Sequence, residues 1–221
     1  MGRVIAIDGP SGAGKSTVAK MLAEMMGMDY LDTGALYRAV ALGLTSLGIS
    51  SDDPERKISE HLENIDVSFR DGRVFLNGQD VSEEIRTTEA GHLSSVFSAR
   101  KAVRDFLLPV QRRAAQDSDL VAEGRDMTTV VFPEAWRKFY LDASVEARAQ
   151  RRYLQLRQNG VPATMEDAER DIVERDKRDS SRDLAPLRVA DDAVYIDTSD
   201  MPLEEVMKAM LGSVRGEKLR V

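Results

Sequence analysis

The run Val4-Ile5-Ala6-Ile7-Asp8 is apolar almost throughout and predicts a central parallel strand covered on both faces. A helical pattern from Val18 to Met26 follows, with Gly27 placed to end it. Asp29-Tyr30-Leu31 predicts a second short strand, and Asp32 or Thr33 can cap a helix running to about Leu47, stopped by Gly48. Ser50 to Lys57 is polar and expected as loop, with a helical turn or two over Ile58–Leu62. Between Ile65 and Val81 the period changes: short β-rich runs alternate with Asp71-Gly72 and Asn77-Gly78, two turn signals of the hairpin kind. The 63–86 stretch therefore predicts a small antiparallel meander inserted in a βα chain, with Val81–Arg86 as its tail. Thr87–Arg113 predicts helix in two pieces broken near Ser98, with Pro109 a candidate kink. Leu120-Val121-Ala122, Phe139-Tyr140-Leu141 and Ala193-Val194-Tyr195-Ile196 complete five strands. Helices are expected over Val145–Arg157, Met165 to about Ser180, and Pro202–Val214, with a break at Asn159–Pro162. Strands alternating with helices predict an α/β fold with a five-stranded parallel sheet.

The link from the first strand to the first helix reads Gly9-Pro10-Ser11-Gly12-Ala13-Gly14-Lys15-Ser16-Thr17, which fits G-x-x-x-x-G-K-S. Glycines allow backbone N–H groups to turn inward as an anion nest, and the following helix adds its dipole. At this spacing Lys15 can reach the β- and γ-phosphates, and Ser16 can offer its hydroxyl to Mg²⁺. The pattern predicts binding of a nucleoside triphosphate with Mg²⁺.

Composition narrows the setting. The chain has 221 residues, enough for one α/β domain with an insert. It has no cysteine, which excludes disulfides and thiolate metal sites, and its two histidines, His61 and His92, make no zinc pattern. No basic region followed by an apolar core is visible at the start, and no apolar run reaches membrane-spanning length, so a cytoplasmic protein without membrane contact is expected. A formal net charge of −7 argues against a nucleic-acid surface. Yet Arg148, Arg151, Arg152, Arg157, Arg170, Arg175, Arg178, Arg182 and Arg188 crowd into one late stretch, which suggests small phosphorylated ligands. Ion pairs with Glu174, Asp176 and Asp179 on solvated helices would also account for them. Beside a phosphate loop, the arginines are better read as a helical lid over 148–182 that stabilises a moving phosphoryl group.

Neither an Asn-Lys-x-Asp guanine reader nor an Asp-x-x-Gly switch is present, and no strand ends in the context of a motor ATPase. Among small-molecule kinases, a hydroxyl acceptor benefits from a carboxylate base, whereas a phosphate acceptor is already largely deprotonated and needs arginine clamps. The arginine supply favours a nucleoside monophosphate. Thr33/Tyr37/Arg38, Ser95/Arg104 and Arg125/Asp126 fall after the second and third strands and beside the insert, where such an acceptor would sit.

At this point the residues resemble a family. Ile7-Asp8-Gly9 through Lys15-Ser16, Leu31-Asp32-Thr33-Gly34-Ala35-Leu36-Tyr37-Arg38, Ile85-Arg86-Thr87, Gly124-Arg125-Asp126-Met127 with Thr129-Val130-Val131-Phe132-Pro133, and Arg175-Asp176 through Arg178-Asp179 are similar to the bacterial cytidylate kinases. The likeness runs from about residue 4 to 200, and the meander is typical of that family. It implies a single P-loop kinase domain, 1–221, with the insert at 63–86 in the monophosphate-binding region and the lid at 148–182. It implies transfer from ATP to CMP or dCMP with Mg²⁺ held through Ser16, by a protein expected to be a monomer. A UMP-preferring kinase and a slowly hydrolysing regulatory protein are the alternatives. By the resemblance, Arg38 and Arg125 grip the CMP phosphate; Tyr37, Asp179 and Arg182 hold the sugar. Thr33, Ser95, Arg104 and Asp126 lie on or near the base, and Arg151, Arg175 and Arg178 join Lys15 in catalysis. Thr128 departs from a common Gly, and Thr33 replaces a common Ser while keeping the hydroxyl.

Overall fold

A computed structural model describes residues 2–70 and 72–216. In chain order the first elements are β1 (Val4–Asp8), α1 (Lys15–Met26), β2 (Asp29–Asp32), α2 (Thr33–Ser46) and α3 (Glu55–Leu62). Then come β3 (Val67–Arg70), β4 (Arg73–Leu76), β5 (Gln79–Asp80), α4 (Thr88–Phe97) and α5 (Lys101–Arg113). The chain closes with β6 (Leu120–Gly124), β7 (Arg137–Asp142), α6 (Val145–Gln158), α7 (Met165–Ser181), β8 (Val194–Asp197) and α8 (Leu203–Val214).

The main sheet has the order β2-β6-β1-β7-β8, and every pairing in it is parallel. Alternation along β1 sorts its side chains between two cores. Val4 and Ala6 pack with Ala122, Leu36, Val40, Val103 and Leu107 under α2 and α5. Ile5 and Ile7 pack with Val121, Phe139, Leu141, Leu22 and Met210 under α1 and α8. Both faces are covered, as the unbroken apolar run requires. The C-terminal ends of β1, β2, β6 and β7 bring Asp8, Asp32, Glu123 and Asp142 to one edge of the sheet.

The three short strands form the expected separate antiparallel sheet, β3-β4-β5. Asn77 and Gly78 both take positive φ, 50° and 80°, as the two-residue turn between β4 and β5 demands. The other turn includes Asp71, which lies outside the described residues. Val67 and Val74 join Val40 and Leu44 of α2 in the core, so the small sheet is fastened to the main fold by its apolar face.

Several expectations change. The first helix begins at Lys15 rather than Val18, because Gly14 in the left-handed region (φ 89°) ends the loop and starts the helical turn there. Helix α3 begins at Glu55, inside the stretch expected as loop, after Pro54 as its cap residue. The sixth strand continues through Glu123 and Gly124. Met127–Val131 is a π-helical turn that no local periodicity announced. Its cause is a distant partner: the buried Asp8 carboxylate accepts from the N–H of Met127 (2.9 Å), the N–H of Thr128 (2.8 Å) and the Thr128 hydroxyl (2.6 Å). Pro109 stands within α5, which continues to Arg113.

Candidate active site

The phosphate loop leaves β1 through Gly9, whose φ is 150°. A Cβ there would lie 1.9 Å from the Leu141 carbonyl oxygen, so only glycine lets the loop cross the top of β7. Lys15 is buried, and its Nζ donates to the Pro10 carbonyl 2.7 Å away, back across its own loop. Burial first, and then the charges of Arg125 and Arg175, push the Lys15 ammonium down to about 7, against the opposing pull of Glu123 and Asp8. Ser16 and Thr17 are exposed on the first turn of α1.

The expected acceptor residues gather on the other side of β6. Asp32 caps α2 and accepts from Arg38 at 3.1 Å, which leaves the buried Arg38 Nε without a partner among the described residues. The Thr33 hydroxyl donates to the Glu123 carbonyl (2.7 Å), locking the β2–α2 junction to β6. Arg125 donates through Nε to Asp179 (2.8 Å), a pair with side chains only 17% and 5% exposed. Burial alone would raise the Asp179 carboxyl, but Arg125, Arg175 and Arg182 overcome it and hold the group below its ordinary value. Burial likewise works against the Arg125 charge, and Asp179 reverses the effect, so the guanidinium is held on its proton more firmly than usual.

Helix α7 ties these parts together. Asp176 accepts from the Ser11 N–H of the phosphate loop (3.3 Å) and pairs with Arg148 of α6, which also donates to the Ser11 carbonyl (3.1 Å). One turn on, Arg178 Nε donates to the Ser95 hydroxyl of α4 (3.0 Å) and Asp179 takes Arg125. Arg175, on the same helix, is half-buried, and its buried Nε is unpartnered among the described residues. Burial and the nearby Arg125 and Arg38 push its pKa down to about 10. Arg182 donates to the Ala185 carbonyl (2.7 Å) and has a buried Nη2 with no partner among the described residues. Arg151 is placed differently from the other arginines: it donates to the Thr198 hydroxyl (3.1 Å) and carbonyl, beside Gly12, at the outer end of the phosphate loop.

Beyond Arg125 lies a cavity of about 190 Å³ between α5, the π turn and the Leu184–Ala185 loop. Arg104 and Asp126 form a salt bridge on its wall, with side chains 10% and 4% exposed. Arg104 also donates to the Ser98 carbonyl (3.1 Å) and sits 5.8 Å above the Tyr37 ring. The Tyr37 hydroxyl is pushed up to about 12 by burial first and the Asp126 charge second, so it is a neutral donor. The cavity thus joins an apolar wall, Leu108, Val130 and Val131, to a carboxylate, a guanidinium and a phenol.

Neither Asp8 nor Gln111 was given a role from sequence, and Thr128 stood out there only as a departure from a common Gly. Asp8 and Thr128 carry the π turn on which Asp126 rides, and Gln111 lines the cavity, buried to 1% exposure. Asp8 ends an apolar strand beside the phosphate loop, which was a readable signal; Gln111 shares a helical face with Arg104 but looks like ordinary α5 surface in the sequence. Arg148 was counted only among the crowded arginines, yet it is the most buried link between α6, α7 and the loop.

A strand–loop–helix phosphate nest at the carboxyl edge of a doubly covered parallel sheet, faced by half-buried arginines, defines a P-loop phosphotransferase fold. The cytidylate kinase family model matches residues 5–216. The chain is 56% identical over 218 residues to the cytidylate kinase of Thermodesulfovibrio yellowstonii, covering 97% of this chain and 98% of that one. It is 46% identical over 215 residues to that of Thermotoga maritima, again covering 97% and 98%. The chain belongs to the cytidylate kinase family. Among solved structures, an uncharacterized protein from Eubacterium ventriosum aligns with a TM-score of 0.53 at 13% identity, over 97% of this chain and 99% of the other, a likeness of fold alone.

Proposed function

We propose that the chain transfers the γ-phosphoryl group of ATP to CMP and dCMP, giving ADP and CDP or dCDP. A phosphate oxygen of CMP attacks the γ-phosphorus, the bond to the β–γ bridging oxygen breaks, and ADP departs with that electron pair. The acceptor phosphate has its second pKa near about 6, so it needs no base to remove a proton. The observation that carries this reading is one cluster of cations, Lys15 buried and the arginines half-buried. Arg125 and Arg175 lie close enough to Lys15 of the phosphate loop to push its pKa down, and Arg125 and Arg38 do the same to Arg175, while Asp179 pairs with Arg125. A cluster shared between the loop and the acceptor side is what two phosphate chains meeting end to end require.

Lys15 would follow the transferring group, leaving the Pro10 carbonyl as it does so. Arg38 and Arg125 would clamp the acceptor phosphate, and Arg175 and Arg178, brought over by α7, would neutralise charge on the moving group. Arg151, beside Gly12 and Thr198, fits the outer end of the donor site. Tyr37, Asp179 and Arg182 would hold the sugar, while Thr33, Ser95, Arg104 and Asp126 would surround the base. Oxygen donors at this edge, the exposed Ser16 hydroxyl and the Glu123 carboxylate beside Lys15, suit a hard cation such as Mg²⁺. Bound with ATP, that ion would neutralise phosphate charge. The 148–182 helices are read as a lid and the 63–86 sheet as part of the monophosphate-binding region. No helix among the described residues is long and apolar enough to cross a membrane. The reading takes the protein as a cytoplasmic monomer, and its acidic balance of −7 supports small nucleotides rather than nucleic acid as partners. Formation of CDP from CMP and ATP·Mg²⁺, followed by phosphorus NMR, tests the reaction. CDP and ADP should appear in equal amounts; ADP without CDP would mean hydrolysis and overturn the reading.

A further inference from the structure

The cavity beside Asp126 contains a polar side chain that the account above leaves idle. Gln111 lies seven residues after Arg104 on α5, two helical turns along the same face, and both line the cavity. It is 1% exposed, yet neither its Nε2 nor its Oε1 has a hydrogen-bond partner among the described residues. An unpaired buried amide is destabilising, and a leucine or methionine of similar size would fill the place without that cost. The neighbouring Asp126 and Arg104 are already paired with each other, and Leu108, Val130 and Val131 offer nothing polar on their side chains. The Tyr37 hydroxyl lies close enough to Gln111 for the amide to favour the phenolate, without the geometry of a full hydrogen bond, and is the competing protein partner.

We infer that Gln111 is a base-binding residue, its carboxamide completing its hydrogen bonds on the polar edge of a bound pyrimidine. This rests on the reading of the cavity as the site of the CMP base. A carboxamide has one donor end and one acceptor end, and it can turn over about its terminal bond. It therefore meets the amino group and ring nitrogen of cytosine or the carbonyl and ring N–H of uracil equally well. Asp126 has no such freedom, since a carboxylate only accepts. The two residues divide the work: Gln111 sets how tightly a pyrimidine is held, and Asp126 sets which pyrimidine.

The test uses the full chain with Gln111→Met and, independently, Gln111→Leu. Melting is followed with and without CMP, and KM is measured for CMP, UMP and ATP. Without nucleotide, both variants should melt at or above the temperature of the unaltered protein. KM for CMP and for UMP should each rise by about 10- to 100-fold, as for a ligand group left facing an apolar wall. KM for ATP should stay within about twofold, and the melting shift produced by CMP should shrink. A lower melting temperature with KM for CMP unchanged would make Gln111 a structural partner of Tyr37 and overturn the proposal. A rise in KM for ATP equal to that for CMP would overturn it too, as general loosening. If the cavity is not the CMP site, Asp126→Ala and Gln111→Met will both leave the melting shift with CMP unchanged, whereas failure of this proposal alone will leave the shift intact in Gln111→Met and diminished in Asp126→Ala.

Discussion

Replacing Asp126 by Ala removes a carboxylate that is 3% exposed and paired with a nearly buried guanidinium. Two consequences can be worked out separately. Arg104 keeps the Ser98 carbonyl at 3.1 Å and its place over the Tyr37 ring, so it is not wholly orphaned. The stability loss should therefore sit near about 3 kcal/mol, the lower end for breaking a buried pair. For a chain of this size that is a fall of about 6–12 °C in melting temperature. The second consequence concerns base choice. Cytosine presents a donor at N4 and acceptors at N3 and O2, which match a carboxylate and a guanidinium; uracil presents the reverse at two of these positions. Asp126→Ala should narrow the ratio of kcat/KM for CMP over UMP by about 1–3 kcal/mol, or roughly 5- to 150-fold. A coupled assay of ADP release with each acceptor measures the ratio. Asp126→Asn gives a second arm: the amide can turn its NH₂ toward the uracil carbonyl, so UMP activity should rise relative to CMP. The free protein already shows Asp126 engaged with Arg104, so the competing account is that Asp126 only positions Arg104. Equal loss of CMP and UMP activity in Asp126→Ala would establish that account and refute base reading by the carboxylate.

Lys15→Ala should lower kcat by at least about a hundredfold, the scale for removing one preorganised electrostatic group. Near-normal turnover would contradict the phosphate-loop assignment. Because Lys15 is held at about 7 by burial and neighbouring arginines, and a triphosphate would favour its charged form, ATP binding at pH 8.5 should take up close to one proton. Calorimetry in two buffers reads this, and the uptake should vanish in Lys15→Met. For the same group the unfolded chain binds more protons between pH 7 and 10.5, so its contribution to stability improves as pH rises through that window. Thr128→Val leaves Asp8 without its hydroxyl donor and should cost about 1–2 kcal/mol of stability, measured by urea unfolding; no change would show that the bond is idle. Hydrogen exchange over 148–182 should slow when ATP and CMP are added together, and unchanged exchange would make α6 and α7 static surface helices.

Periodicity was enough for the parallel sheet, because its central strands are buried on both faces and read as uninterrupted apolar runs. The phosphate loop was legible for a stronger reason, since its geometry depends on glycine at fixed positions. The arginines were legible as a supply but not as an arrangement. Which of them pairs with Asp179, which with Ser95 and which with the Thr198 loop depends on how α6 and α7 cross the sheet edge. The π turn at Met127–Val131 was hidden because Asp8, more than a hundred residues earlier, supplies its hydrogen bonds. Gln111 was hidden because an amide on a helix is ordinary until its environment shows that it has no hydrogen-bond partner among the described residues.

The most direct measurement is kcat/KM for ATP-dependent phosphorylation of CMP, dCMP, UMP and AMP under one set of conditions. The arrangement of Arg104 and Asp126 in a cavity of about 190 Å³ predicts CMP and dCMP well above UMP, with AMP lowest. Phosphorylation of UMP or AMP as efficient as that of CMP would contradict it.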